Sequence, residues 1–169
     1  MGRARATPPE FDPRALIAAL ERHRVDYVVI GAVARVLHGT AEVNDELDIT
    51  PSTKERNLQR LERALADIAP AARVDADGLA SAPEPVLRLA TVHGRLAIVP
   101  EPAGTRGFDD LKRTAGREHL GQGLRPQVAS PADLGRMLNT LRRDGDLEKL
   151  RALRRAEELQ LALGRGLQR

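Results

Sequence analysis

Cysteine is absent from this 169-residue chain, which excludes disulfides, thiolate zinc sites and cysteine nucleophiles. That absence is compatible with a reducing cytoplasm, where we expect the protein to reside. Aromatic residues are nearly missing as well. Phe11, Tyr27 and Phe108 are the only three, too few for a base-stacking platform, so any RNA contact would run through arginines and phosphates. The four histidines, His23, His38, His93 and His119, lie far apart and show no metal-ligand spacing. A net charge of +3 is too mild to announce nucleic-acid binding. No apolar run approaches the length that spans a bilayer, so no membrane partner is expected. The opening stretch from Met1 to Pro9 is basic but leads into no apolar segment of the kind a secretory signal carries.

What is present fits one globular domain, with 41% apolar and 30% charged residues and length enough for a core without metal or disulfide staples. Asp12 and Pro13 open a first helix, with Phe11 and Leu16 placed as a hydrophobic staple across its cap. Val25 to Ile30 reads as a buried central strand ending at Gly31. A short helix from Ala32 to Leu37 follows, with Gly39 as a left-handed cap, and then a strand over Glu46 to Thr50. Ser52 and Glu55 form a capping box for a helix that carries Leu58, Leu61, Leu65 and Ile68 on one face. Pro70 to Pro85 reads as a loop. Val86 to Thr91 and Arg95 to Val99 read as a hairpin turning at His93-Gly94. Two helices close the chain, one opened by Ser130-Pro131 and one running from Asp146 to Leu163 before Gly164.

The segment Gly31 to Ile49 holds the chemistry. A buried strand enters a glycine turn, a short helix follows, and a second strand carries Glu46-x-Asp48. Residues two apart on a strand share a face, with Cα atoms roughly 6 to 7 Å apart, so these carboxylates can hold a hard cation between them. Mg²⁺ typically takes one or two protein carboxylates and fills its shell with water and phosphate oxygens. The helix opening after Gly31 presents N–H groups suited to a phosphate chain. Glu42, Asp45, Glu46 and Asp48 also crowd one short stretch, which disfavours a triphosphate without its metal. Arg151, Arg154 and Arg155 share the last helix with Glu148, Glu157 and Glu158, as on a salt-bridged solvent face. Lys112, Arg113 and Arg117 have less local compensation and are the better candidates for RNA contact.

Together VDYVVIGAVARVLHG, ELDITP, NLQRLERAL, LATVHGRLAIVPEPAG and VASPADLGRML resemble the minimal nucleotidyltransferase family of the DNA polymerase beta-like superfamily, some bacterial members of which act as toxins or antitoxins. The resemblance runs from about Leu20 to Leu150. It implies an α/β (α+β) fold: a short mixed β-sheet flanked by helices, nucleotidyltransferase-like, with a C-terminal helical segment. Residues 1–10 would be a flexible N-terminus, 11–129 the nucleotidyltransferase-like domain, and 130–164 helices packed on that domain. It further implies a triphosphate cradle at Gly31 and Ala32. Glu46 and Asp48 would be the catalytic carboxylates and ligands of Mg²⁺ (or Mn²⁺).

The chain departs from the family pattern in ways that bear on catalysis. Glu42 stands where an arginine is usual, Asn44 where a threonine is, and Glu46 replaces an aspartate. Ala97 occupies the position of the third carboxylate, and Leu138 that of a lysine. In two-metal transfer one ion grips the triphosphate and the other activates the attacking hydroxyl, so the second ion loses a ligand here. Glu101 shares the strand parity of Ala97 but would lie roughly 13 Å along an extended strand. Two functions follow. One is Mg²⁺-dependent transfer of a nucleotide from a nucleoside triphosphate onto RNA or protein through a degenerate site. The other is a catalytically inactive relative that binds a nucleotide or a partner protein, as in a toxin–antitoxin pair.

Overall fold

A computed structural model describes residues 7–72, 74–80 and 86–166, and residues 1–6 of the expected N-terminal arm lie outside them. The elements run α1 (Pro13–Arg22), β1 (Tyr27–Ile30), α2 (Gly31–Leu37), β2 (Glu46–Pro51), α3 (Glu55–Ile68), α4 (Ala76–Ala80), β3 (Leu87–Thr91), β4 (Gly94–Ile98), α5 (Phe108–Lys112), β5 (Gly116–Arg117), β6 (Gln127–Val128), α6 (Pro131–Leu141) and α7 (Asp146–Gly166). The strands form one sheet in the order β3-β4-β2-β1-β6-β5. β1 pairs antiparallel with β2 and parallel with β6, while β2 pairs parallel with β4. The fold is thus a mixed α/β sheet with helices on it, as the sequence pattern implies.

Strand β1 is buried at every position, which explains its unbroken apolar run: a central strand covered on both faces needs no polar alternation. Leu16, Ile17 and Leu20 of α1 pack into the same core as Leu58, Leu61 and Leu65 of α3. Asp12 caps α1 by accepting from the Ala15 N–H at 3.1 Å, and Ser130 caps α6 by accepting from Asp133 N–H at 3.1 Å. Phe11 lies against Gly94 at the β3–β4 turn. Gly94 has φ +101, so any Cβ there would be strained as well as crowded. Gln160 of α7 donates to the His38 carbonyl at 2.9 Å, and the His38 ring bonds the Ala129 carbonyl at 2.8 Å. His38 is therefore a structural residue that ties α2 to the start of α6.

Three expectations need correction. Ser52 does not cap α3, whose N-cap is Lys54 with no side-chain cap bond. Ser52 is buried, and Asn57 claims the space. Its side chain accepts from Asp26 N–H at 2.7 Å and donates to the carbonyls of Asp26 at 2.9 Å and Ser52 at 2.8 Å. The Pro70–Pro85 stretch contains the short helix α4, because Leu79 can be buried; residues 73 and 81–85 lie outside those described. Helix α7 continues through Gly164 to Gly166, since Gly164 does not take the left-handed conformation of a helix-ending glycine.

The Asn57 bridge carries a prediction. Asn57→Leu takes the side-chain partner from the part-buried Asp26 N–H and from the Ser52 carbonyl, while the Asp26 carbonyl keeps the Ser52 N–H at 3.0 Å, which should lower stability by about 2 to 4 kcal/mol. Urea denaturation checks it, and a loss under about 1 kcal/mol would mean that water or a backbone shift satisfies those groups.

Candidate functional site

The register assembles the site. Strand β2 lies between β1 and β4, so Asp48 sits opposite Ile30 on one side and Ala97 on the other. Gly31 follows Ile30 with φ +70, a left-handed conformation at the strand-to-helix turn. A Cβ on Gly31 would fall on the Asp48 carboxylate, whose atoms are its three nearest neighbours. Glycine is required there on both counts: backbone angle and the close approach of Asp48.

Asp48 Oδ1 is buried with no hydrogen-bond partner. Burial, then hydrogen bonding with Glu46 and repulsion by its charge, push the Asp48 carboxyl up to about 7. Glu46 lies two residues back on the same face and pairs with Arg88 Nε at 3.5 Å. Arg88 is itself opposite Ala97 across the β3–β4 hairpin. The two carboxylates therefore form one acidic pair, as strand parity predicts. Among the described residues no group of three or more histidine, aspartate or glutamate side chains is placed to hold a metal ion.

A cleft of about 410 Å³ opens over Asp48, lined also by Gly31 at the start of α2, by Ala97 of β4 and by Leu134, Met137 and Leu138 of α6. Ala97 and Leu138 thus face the same space as Asp48, where the resemblance places a carboxylate and a lysine. Neither Ala32 nor Glu46 lines the cleft, although Glu46 contacts two residues that do, Asp48 and Arg88. Glu101 lines it too. Strand β4 ends at Ile98, and the chain turns through Pro100 and Pro102, so spacing along a strand no longer applies.

The acidic segment proves less repulsive than its composition implies. Arg35 is buried and grips Glu42 with two bonds, Nε to Oε2 at 2.8 Å and Nη2 to Oε1 at 2.9 Å, while Thr40 donates to Oε2 at 3.0 Å. These bonds hold the Glu42 carboxyl below its usual range, against the opposing effect of burial. Asp45, exposed as expected, pairs with Arg95. Each acid but Asp48 thus has its own arginine. The sequence reading missed Arg35, Arg88 and Arg143 as cleft residues. Only Arg88 left a signal, through its place opposite position 97 in the hairpin.

No family model matches this chain, and no curated protein matches it in sequence. No helix among the described residues is long and apolar enough to cross a membrane.

Proposed function

We propose that this chain is a relative of the minimal nucleotidyltransferases that binds a nucleoside triphosphate with one Mg²⁺ or Mn²⁺ and transfers nucleotide onto RNA or protein slowly or not at all. The observation that carries this reading is the row Gly31, Asp48, Ala97 across the sheet. A carboxylate with a buried, unpartnered oxygen stands beside a glycine turn on one side and a bare methyl group on the other.

The donor set fits one ion. Asp48 and Glu46 together supply hard oxygen ligands of the kind Mg²⁺ takes, and Asp48 has an oxygen left over. Bound there, the ion would supply charge compensation for the triphosphate. Gly31 lets the phosphate chain approach the backbone without a side chain in the way. Arg88 and Arg143, both lining the cleft, add positive charge at its edge. Ala97 brings no ligand for a second ion, and Leu138 brings no cation, so activation of an attacking hydroxyl lacks its usual support.

A second reading draws on the α6 wall. Leu134, Met137, Leu138 and Leu141 make one side of the cleft apolar, which suits a protein segment better than a triphosphate. On that reading the chain is an inactive relative that docks a partner protein, as one member of a toxin–antitoxin pair.

Incorporation of labelled nucleotide into total RNA and into candidate partner proteins separates these readings, with Asp48→Ala as the blank. The wild type should incorporate little, and Ala97→Asp combined with Glu46→Asp should raise incorporation at least tenfold. Robust incorporation by the wild type that disappears in the blank would show that two carboxylates suffice.

A further inference from the structure

A second cavity, of about 380 Å³, lies at the other end of β1. Tyr27 opens the strand there and Ile30 closes it beside Asp48, so the two sites are separated by roughly 10 Å of extended chain. Tyr27 lies at the base of this cavity, buried, its hydroxyl donating to Glu21 Oε1 at 3.0 Å. Burial and the Glu21 charge raise the Tyr27 hydroxyl well above its ordinary range, so it stays a neutral donor. Phe108 forms a wall, with the Lys112 ammonium 5.7 Å from its ring centroid.

Three cations from three separate elements line this cavity: Arg24 from the turn after α1, Lys112 from α5 and Arg117 from the edge strand β5. The acids present are Glu21 and Asp26. Among the described residues, none of these five side chains forms an ion pair within 4.0 Å. Arg117 spends one N–H on the Arg125 carbonyl at 2.9 Å, which fixes its guanidinium while leaving other donors open. Arg24 is held at φ +55, a left-handed conformation that costs an L-residue roughly 1 to 2 kcal/mol. A glycine at that helix end would carry no such strain.

We infer that this cavity binds a phosphomonoester group, the terminal phosphate of a nucleoside monophosphate or of a 5′-phosphorylated RNA end. Arg24, Lys112 and Arg117, exposed residues around this polar pocket, outnumber its two carboxylates, and a dianionic phosphate accepts several charge-assisted hydrogen bonds at once. The cavity is large enough for one phosphate and its sugar. Lys112 and Arg117, two of the three cations with less local compensation along the sequence, thereby gain a common purpose. This site does not depend on the Asp48 site.

The test is binding measured at low salt for three probes: inorganic phosphate, adenosine monophosphate, and a short oligoribonucleotide with a 5′-phosphate or a 5′-hydroxyl. Calorimetry serves the first two, and fluorescence anisotropy serves the third. We expect the phosphorylated probes to bind, and Lys112→Gln combined with Arg117→Gln to weaken them at least tenfold. Arg24→Gly gives the cleaner variant, because it should hold or raise Tm by relieving strain while weakening binding several-fold. Asp48→Asn should leave this binding unchanged. Uptake of phosphate and adenosine monophosphate would identify a free ligand, whereas binding only of the 5′-phosphorylated oligonucleotide would identify an RNA end. No binding of any probe would overturn the inference. So would equal affinity for the 5′-phosphate and 5′-hydroxyl oligonucleotides, or affinity that survives both sets of substitutions.

Discussion

Gly31→Ala should lower stability by on the order of 2 to 5 kcal/mol, and the part of that loss due to the clash, roughly 1 to 3 kcal/mol, should disappear when Asp48 is shortened. Two effects combine. The residue sits at φ +70, where an alanine is strained by roughly 1 to 2 kcal/mol. Its new methyl group would also collide with the Asp48 carboxylate, and all three nearest atoms belong to that one side chain. Overpacking of this kind typically adds 1 to 3 kcal/mol. Because the clash has a single partner, Gly31→Ala and Asp48→Ala should be strongly non-additive in a double-mutant cycle. The double variant should retain only the backbone strain. Chemical denaturation of the four proteins measures the coupling, and additive losses would mean that Asp48 does not lie over the glycine turn.

Asp48→Asn should stabilise the metal-free protein near pH 8 by on the order of 3 kcal/mol, and by almost nothing near pH 4. The sign follows from linkage. Asp48 is pushed up to about 7 in the folded chain by burial and by Glu46, against an ordinary value near 4 when unfolded. Below about pH 4 both states hold the proton and the residue has no effect. Between about pH 4 and pH 7 the folded state holds a proton that the unfolded state has released, so stability falls as pH rises. Above about pH 7 the loss is complete. Asparagine carries no such charge, and its gain over wild type should grow across that same window. A divalent cation that engages Asp48 should oppose the loss, releasing a proton as it binds. Thermal unfolding from pH 4 to pH 8, with and without Mg²⁺, checks both parts. A flat wild-type profile would show that Asp48 is ionised at no penalty.

The same two residues show what was legible in the sequence. The strand–turn–helix order and the Glu46-x-Asp48 spacing are local features set by strand parity, and the sheet register agrees with them. The caps at Asp12 and Ser130 were legible for the same reason. Features that depend on distant partners were not. The place of Ala97 opposite Asp48 depends on the parallel β2–β4 pairing, which no local pattern encodes, and only the family resemblance pointed to it. Asn57 reaches back 31 residues to Asp26, which moves the start of α3 away from Ser52. Arg35 and Glu42 meet across a helix end and a loop, so the acidic segment is less negative than its composition reads. Strands β5 and β6 have two residues each, too short for any periodicity, and they bring Arg117 beside Tyr27. Glu101 enters the cleft only because the chain leaves β4 and turns.

The proposed function requires one metal-assisted nucleotide site at Asp48. The most direct test is a titration of Mn²⁺ into the protein with a saturating non-hydrolysable nucleoside triphosphate, followed by electron paramagnetic resonance after removal of unbound ligand. One retained Mn²⁺ per chain in the wild type, and none in Asp48→Ala, is the predicted result. No retained Mn²⁺ in the wild type, or equal retention by Asp48→Ala, would contradict it.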